Sequence, residues 1–270
     1  VMDVLRRNHV RVTGRPDGPP LLLAHGFGCD QNMWRLVTPR LAPDFRILLF
    51  DYVGAGDSDL SAWREERYSS LEGYAQDIIE VLHALDPGPV VYVGHSVSAM
   101  TGVVAALREP ELFSRLVLLT PSPRYLDDTG YRGGFSRQDI DELLESLESN
   151  YLGWSSRMAP VIMDTPDRPE LQEELTNSFC RTDPAAARAF ARATFLSDNR
   201  ADLRQVTLPT LVIEAAHDSL APREVGAYVR DAIPDSTLVT LDARGHCPHL
   251  SAPGATAAAI AAFAAPGAAA

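Results

Sequence analysis

Six short runs of apolar residues recur along the chain, at 20–24, 46–50, 90–93, 115–119, 210–214 and 236–241. Unbroken apolarity over so few residues marks strands covered on both faces, as in a parallel sheet. Between the runs the apolar positions fall at helical spacing. Residues 71–85 place Ile78, Val81, Leu82 and Leu85 on one face, and 99–107 form a small-residue helix able to pack closely on a sheet. Strands alternating with helices predict a doubly wound α/β fold.

The alternation stops between Ser122 and Asn199. Four helices are predicted there, at 136–150, 151–163, 169–180 and 184–197, with joints at Gly133-Gly134, Pro166, Pro169 and Pro184. Ser136 followed by Asp139 reads as a capping box with a shortened carboxylate, and Asp183-Pro184 as a cap and first turn. The expected organisation is a sheet core over 1–122, a helical lid over 123–199 and the second part of the core over 200–270. The Ala-rich tail from Ala255 is expected to begin as a helix and fray at its end. No internal repeat occurs.

The run 90–93 leads directly into Gly94-His95-Ser96-Val97-Ser98 and then into helical sequence. A strand-to-helix turn tight enough to expose a serine needs small residues on either side, which is the mechanical basis of G-x-S-x-G. Ser98 stands where the last glycine would be. A serine hydroxyl is a weak nucleophile and needs a base, itself oriented by a carboxylate. In this fold class these follow in the order Ser, Asp or Glu, His. The run 210–214 leads to a loop holding Asp218, and the run 236–241 to Arg244-Gly245-His246-Cys247-Pro248-His249. Both loops follow strand carboxyl ends, where such sheets place their chemistry.

Ser96, Asp218 and His246 are therefore the expected catalytic triad. Glu214 and Asp242 are rivals less well placed than Asp218. His249 rivals His246, but Gly245 frees His246 to turn inward, whereas His249 follows Pro248 and begins the next segment. His95 is expected to point away from Ser96 and pack, and His217 to be a loop residue. His25-Gly26-Phe27-Gly28 follows the first strand and can present the Phe27 N–H, which with the Val97 N–H would form an oxyanion hole. Asp51-Tyr-Val-Gly-Ala-Gly-Asp-Ser58 is Gly-rich but lacks the phosphate-loop ending and the third glycine of a dinucleotide fingerprint, and reads as a structural turn.

Composition narrows the partners. The formal net charge of −12 disfavours nucleic acid and anionic lipid. No apolar run approaches the roughly 20 residues of a membrane span. The first residues lack a signal peptide's apolar stretch, so cytoplasmic location is the default expectation. Three cysteines, Cys29, Cys180 and Cys247, without a C-x-x-C pair, argue against disulfides or zinc and read as ordinary thiols, with Cys247 placed for oxidation beside His246. No His, Asp or Glu spacing suggests a metal, and no cofactor is expected.

The stretches His25-Gly-Phe-Gly-Cys-Asp-Gln-Asn-Met-Trp34, Phe50-Asp-Tyr-Val-Gly54, Gly73-Tyr-Ala-Gln-Asp77, Gly94-His-Ser-Val-Ser98, Asn150-Tyr-Leu-Gly-Trp154, Pro166-Asp-Arg-Pro-Glu170 and Arg244-Gly-His-Cys-Pro-His249 resemble the RsbQ-like group of α/β-hydrolases, which act in bacterial stress signalling, and more distantly the plant strigolactone and karrikin receptors. The resemblance spans nearly the whole chain. It implies a four-helix lid over an apolar pocket above Ser96, lined by Phe27, Val97, Phe135, Trp154, Phe195 and the position of Met158, where the group usually has Phe. It carries over Ser96, Asp218 and His246 as triad and Phe27 and Val97 as oxyanion donors.

Two functions follow as expectations. One is a serine hydrolase for a small apolar ester, lactone or butenolide-type enol ether. The other is a ligand-sensing protein, slow in hydrolysis, that acts on a PAS-domain serine phosphatase. The expected oligomeric state is a monomer or weak dimer. Dehalogenases and epoxide hydrolases carry Asp where this chain has Ser96; a thioesterase is harder to set aside.

Overall fold

Successive side chains of a strand face opposite sides of its sheet, and here both sides are apolar. Leu22, Leu48, Tyr92, Leu116, Leu118 and Val212 pack into one core, while Leu23, Ile47, Val93, Val117, Leu119 and Ile213 pack into a second. The strands between the two cores therefore read as continuous apolar runs. The computed structural model describes residues 3–265 and 267. The last residues of the tail, on which the expected fraying falls, lie outside the described residues.

The strands are β1 (Arg11–Gly14), β2 (Pro20–Ala24), β3 (Arg46–Leu49), β4 (Val90–His95), β5 (Phe113–Leu119), β6 (Thr210–His217) and β7 (Ser236–Arg244). They form one sheet in the order β1-β3-β2-β4-β5-β6-β7. Only β1 runs antiparallel, against β3. The hydrophobic pattern did not predict β1. As an edge strand with Arg11, Val12 and Thr13 exposed, it carries no apolar run.

Helices α1 (Leu71–Leu85) and α2 (Val97–Arg108) cover the first face through Ile78, Leu82, Met100 and Val103. Between β5 and β6 lie α3 (Arg137–Ser149), α4 (Tyr151–Met163), α5 (Pro169–Arg181) and α6 (Pro184–Phe195). After β6 come α7 (Arg223–Ala232), whose Val229 joins the first core, and α8 (Pro253–Ala264), whose Ile260 and Phe263 join the second.

Local chemistry starts the inserted helices. Ser136 and Asp139 make the reciprocal capping box. The Asp183 carboxylate accepts from the N–H groups of Ala185 and Ala186. Such caps contribute about 1 kcal/mol each, so packing decides where the helices sit. Their apolar faces, through Leu144, Trp154, Leu175, Phe179 and Phe195, form a third core with Cys29, Met33, Tyr125, Leu220 and Cys247. Those partners lie on segments that follow β2, β5, β6 and β7. The insertion thus packs over the carboxyl edge of the sheet. Among the described residues, no helix is long and apolar enough to cross a membrane.

Candidate active site

β4 ends at His95 and α2 begins at Val97, so Ser96 alone makes the turn, with φ 58° and ψ −122°. A non-glycine residue at positive φ is strained and must be held. Its N–H donates to the Leu119 carbonyl on β5 and its carbonyl accepts from Ala99, both at 2.9 Å. A Cβ at Gly94 would lie 2.4 Å from the Ser98 carbonyl, which is why the approach to the turn needs glycine.

Ser98 is fully buried and joins three segments. Its hydroxyl donates to the His25 carbonyl and accepts from the Tyr52 hydroxyl at 2.7 Å, while its carbonyl accepts from the Tyr92 hydroxyl at 2.6 Å. His25 is itself fixed: Nδ1–H donates to the Gly26 carbonyl at 2.9 Å, so Nε2 accepts from the Tyr52 N–H at 3.2 Å. The serine in place of glycine therefore ties the loop after β2, which carries Phe27, to the turn at Ser96.

Asp218, His246 and Ser96 form a line of hydrogen bonds. The Ser96 hydroxyl donates to His246 Nε2 at 2.7 Å, and His246 Nδ1–H donates to Asp218 Oδ2 at 2.7 Å. Asp218 Oδ1 accepts from the N–H groups of Leu220 and Ala221 at 2.8 and 3.1 Å, which leaves Oδ2 for the imidazole. The His246 backbone is held on both sides. Its N–H donates to the Ile162 carbonyl at 2.8 Å, and its carbonyl accepts from His95 Nε2–H at 2.8 Å and the Thr120 hydroxyl at 3.2 Å. Gly245 has φ +85°, and a Cβ there would lie 2.0 Å from the Met163 carbonyl. The glycine lets the base loop turn inward under α4. In such a line the imidazole can take the serine proton while the carboxylate stabilises the resulting cation.

The rivals lie elsewhere. Glu214 is buried on β6, where Oε1 accepts from the Thr240 hydroxyl at 2.7 Å, and Asp242 and His217 are exposed. His249 packs against Trp34 and His95, at ring distances of 4.8 and 4.3 Å. Burial pushes the His95 imidazole down to about 3 and also lowers His249, with the neighbouring histidines adding to both effects. Both rings are neutral packing groups near neutral pH, and His95 also borders the cavity at Ser96.

Ser96 and His246 open into a narrow, mostly enclosed cavity with a solvent-accessible volume of about 30 Å³. Phe27, Trp154, Met158 and Phe195 are among the residues that line it. Phe27 makes ring contacts with Trp154, Phe179, Phe190 and Phe195 at 5.7–6.3 Å. Two expectations are corrected. Phe135 does not line the cavity; it sits on a neighbouring surface groove that shares Leu143, Trp154 and Met158 with it, because its segment pairs back on Leu126 and Tyr125. The Val97 side chain packs into the sheet core, and only its backbone belongs to the turn.

Sequence reasoning missed Tyr125, whose hydroxyl lies 3.5 Å from Ser96 Oγ. Burial pushes its phenol up to about 12, so it stays a protonated donor. It also missed Cys29, Ile162, Leu175, Phe179 and Leu220 on the cavity wall. Phe179 and Leu175 share a helical face and could have been found that way; nothing local marks Tyr125. Cys29 and Cys247 are buried free thiols raised by burial, and Cys180 is exposed. Among the described residues, no Lys, Arg, Asp or Glu lies on the wall.

Comparison with known proteins agrees with this architecture. The profile of the Alpha/beta hydrolase family matches residues 21–259. The chain is 39% identical to a "Probable esterase" of Oryza sativa subsp. japonica over 93% of this chain and 94% of that one. It is 37% identical, over the same shares, to "Karrikin insensitive 2 receptor CA" of Petunia hybrida. Among solved structures, the hydrolase olei00960 from Oleispira antarctica superposes with a TM-score of 0.90 at 45% identity, covering 94% of this chain and 92% of its own.

Proposed function

The chain belongs to the Alpha/beta hydrolase family, and on that premise we propose that it is a serine hydrolase of the RsbQ-like group that cleaves a small apolar ester, lactone or enol ether. The observation that carries this reading is the unbroken line Ser96–His246–Asp218, at 2.7 Å per link, at the floor of an apolar cavity. Ser96 attacks the substrate carbonyl as His246 takes its proton. Asp218 keeps Nδ1 protonated and stabilises the imidazolium. The Phe27 and Val97 N–H groups receive the developing oxyanion. Val97 opens a helix, where first-turn N–H groups lack intrahelical acceptors, and each such donor supplies roughly 3 kcal/mol to the transition state. His246 then protonates the leaving oxygen, and water, activated by the same imidazole, releases the acid and restores Ser96.

The wall supports the choice of substrate. Without a cation it offers a substrate carboxylate no counter-charge, and desolvating an unpaired charge is costly. Residues 123–199 act in this reading as a lid that keeps bulk water from the acyl enzyme. Turnover of p-nitrophenyl acetate and of small butenolides by the wild type, lost in Ser96→Ala, is the expected result. Equal turnover by Ser96→Ala would sink the proposal.

A second reading, ligand sensing with slow hydrolysis, is favoured by how the triad loops are tied to α4. His246 N–H donates to the Ile162 carbonyl, the Ser219 hydroxyl to the Val161 carbonyl at 3.2 Å, and Arg244 pairs with Asp164 at 2.9 Å. A ligand on Ser96 can thereby bias the position of α4. The partner in this reading is a PAS-domain serine phosphatase. It predicts ligand-dependent capture of that phosphatase and faster amide exchange in α4; neither change with any hydrolysed ligand would refute it.

A further inference from the structure

Three buried side chains that the hydrolytic reading leaves without chemistry lie together beside the triad. His95, Cys247 and His249 each offer a metal-ligating atom, and these atoms all fall within 4.8 Å of one another. All three residues are at most 2% exposed. His95 Nε2 faces the His246 carbonyl at 2.8 Å, and a carbonyl only accepts, so Nε2 carries the proton and Nδ1 the lone pair. That Nδ1 is buried with no hydrogen-bond partner among the described residues, as is Nδ1 of His249. A buried ring nitrogen left unpaired costs stability and calls for an explanation. Chain spacing hides this set, because His95 comes from the end of β4 and the other two from the loop after β7.

We propose that His95, Cys247 and His249 form a binding site for a soft metal ion, selective for copper(I), whose occupation silences the adjacent Ser96–His246 pair. Thiolate and imidazole suit soft ions. On binding, Cys247 loses its thiol proton to solvent and the sulfur bonds the ion; no electron is transferred when copper arrives as copper(I). One thiolate, two neutral imidazoles and copper(I) sum to zero charge, whereas zinc(II) leaves one buried positive charge. The nearest carboxylate of the triad, Asp218, is already committed to His246.

The link to activity is mechanical. His95 immediately precedes Ser96, and Cys247 immediately follows His246. Metal bonds of about 2.0 Å to nitrogen and 2.3 Å to sulfur hold ligand atoms about 3.5 Å apart, so the set closes by up to about 1 Å on binding. Displacements of that size cost about 100-fold in rate. The silencing rests on the hydrolytic reading; the binding does not.

The experiment titrates the Cys180→Ser protein, which lacks the exposed thiol, with copper(I) under anaerobic conditions against bicinchoninate. The expected result is one equivalent withdrawn from the chelator, an ultraviolet sulfur-to-copper band, and p-nitrophenyl acetate hydrolysis lowered about 100-fold, restored by bathocuproine disulfonate. Added Ser96→Ala or Cys29→Ser keeps the band, and added Cys247→Ser or His249→Gln removes it and brings the ratio of rates with and without copper close to one. Absence of the band in the Cys180→Ser protein overturns the site without recourse to any buried variant. Loss of the band in Cys29→Ser overturns the donor set, uptake without loss of rate overturns the silencing, and equally tight zinc binding overturns the selectivity. A metal-free protein without esterase activity overturns the hydrolytic reading instead, and the titration still decides the binding.

Discussion

Ser98 stands where this kind of turn ordinarily has glycine, and Ser98→Ala measures what the hydroxyl does. The substitution keeps a helix former at the second position of α2 and adds no bulk, so its effect isolates two hydrogen bonds. One leaves the His25 carbonyl without its donor; the other leaves the Tyr52 hydroxyl without its acceptor. Both groups belong to fully or nearly fully buried residues. An unsatisfied buried polar group costs about 1–3 kcal/mol. Tyr52 has Tyr92 and Thr101 near its hydroxyl and can re-pair, which puts it at the low end. The expected loss is about 3 kcal/mol, or about 6–10 °C in Tm for a chain of this size. Urea unfolding gives the free energy, and a double-mutant cycle with Tyr52→Phe should return a coupling of about 1 kcal/mol. Because the same hydroxyl fixes the loop carrying Phe27, kcat should fall about 10-fold with KM little changed, as for loss of an interaction made in the transition state. A loss below about 0.5 kcal/mol, within the range of an ordinary surface substitution, with unchanged kcat would refute the argument that Ser98 braces the site.

Other expectations follow from single features. Tyr125→Phe removes the phenol facing Ser96 and should lower kcat about 10-fold, less than the roughly 100-fold minimum of a positioned general acid or base because the contact is long, with the urea midpoint nearly unchanged. Gly245→Ala forces a Cβ into the Met163 carbonyl at positive φ; stability should drop by more than about 1 kcal/mol, and fluorophosphonate labelling should slow. Glu80 is raised by burial but lowered more by Arg67 and Arg7, for a net depression below 4.5. A carboxylate with a depressed folded pKa contributes stability above its unfolded pKa and loses it as pH falls through the folded value. The Tm gap between wild type and Glu80→Gln should therefore hold from neutral pH down to about 4.5 and narrow below it. A gap independent of pH would show that Glu80 acts through packing alone.

Legibility in the sequence followed burial. The five interior strands announced themselves because both faces are covered, and the edge strand β7 still carried the run Leu238, Val239 and Leu241, while β1, exposed along Arg11 to Thr13, had no apolar run to betray it. The inserted helices were legible through their caps, notably Ser136–Asp139 and Asp183. Ser96, Asp218 and His246 could be picked out because strand ends place them on one edge, and the structure brings the three within hydrogen-bond distance. The cavity wall was less legible. Whether Tyr125 or Phe135 faces Ser96 depends on how the segment after β5 folds back on itself, a tertiary matter without periodicity. The role of Ser98 was hidden for a similar reason, since its partners His25 and Tyr52 come from other strands' loops.

The central claim is that Ser96 is a nucleophile activated by His246. Intact-mass analysis after brief exposure to a fluorophosphonate tests it most directly. The account predicts one adduct per chain, mapped to Ser96, absent in Ser96→Ala and formed far more slowly in His246→Ala. An adduct on another residue, or labelling of Ser96 at the same rate without His246, would contradict it.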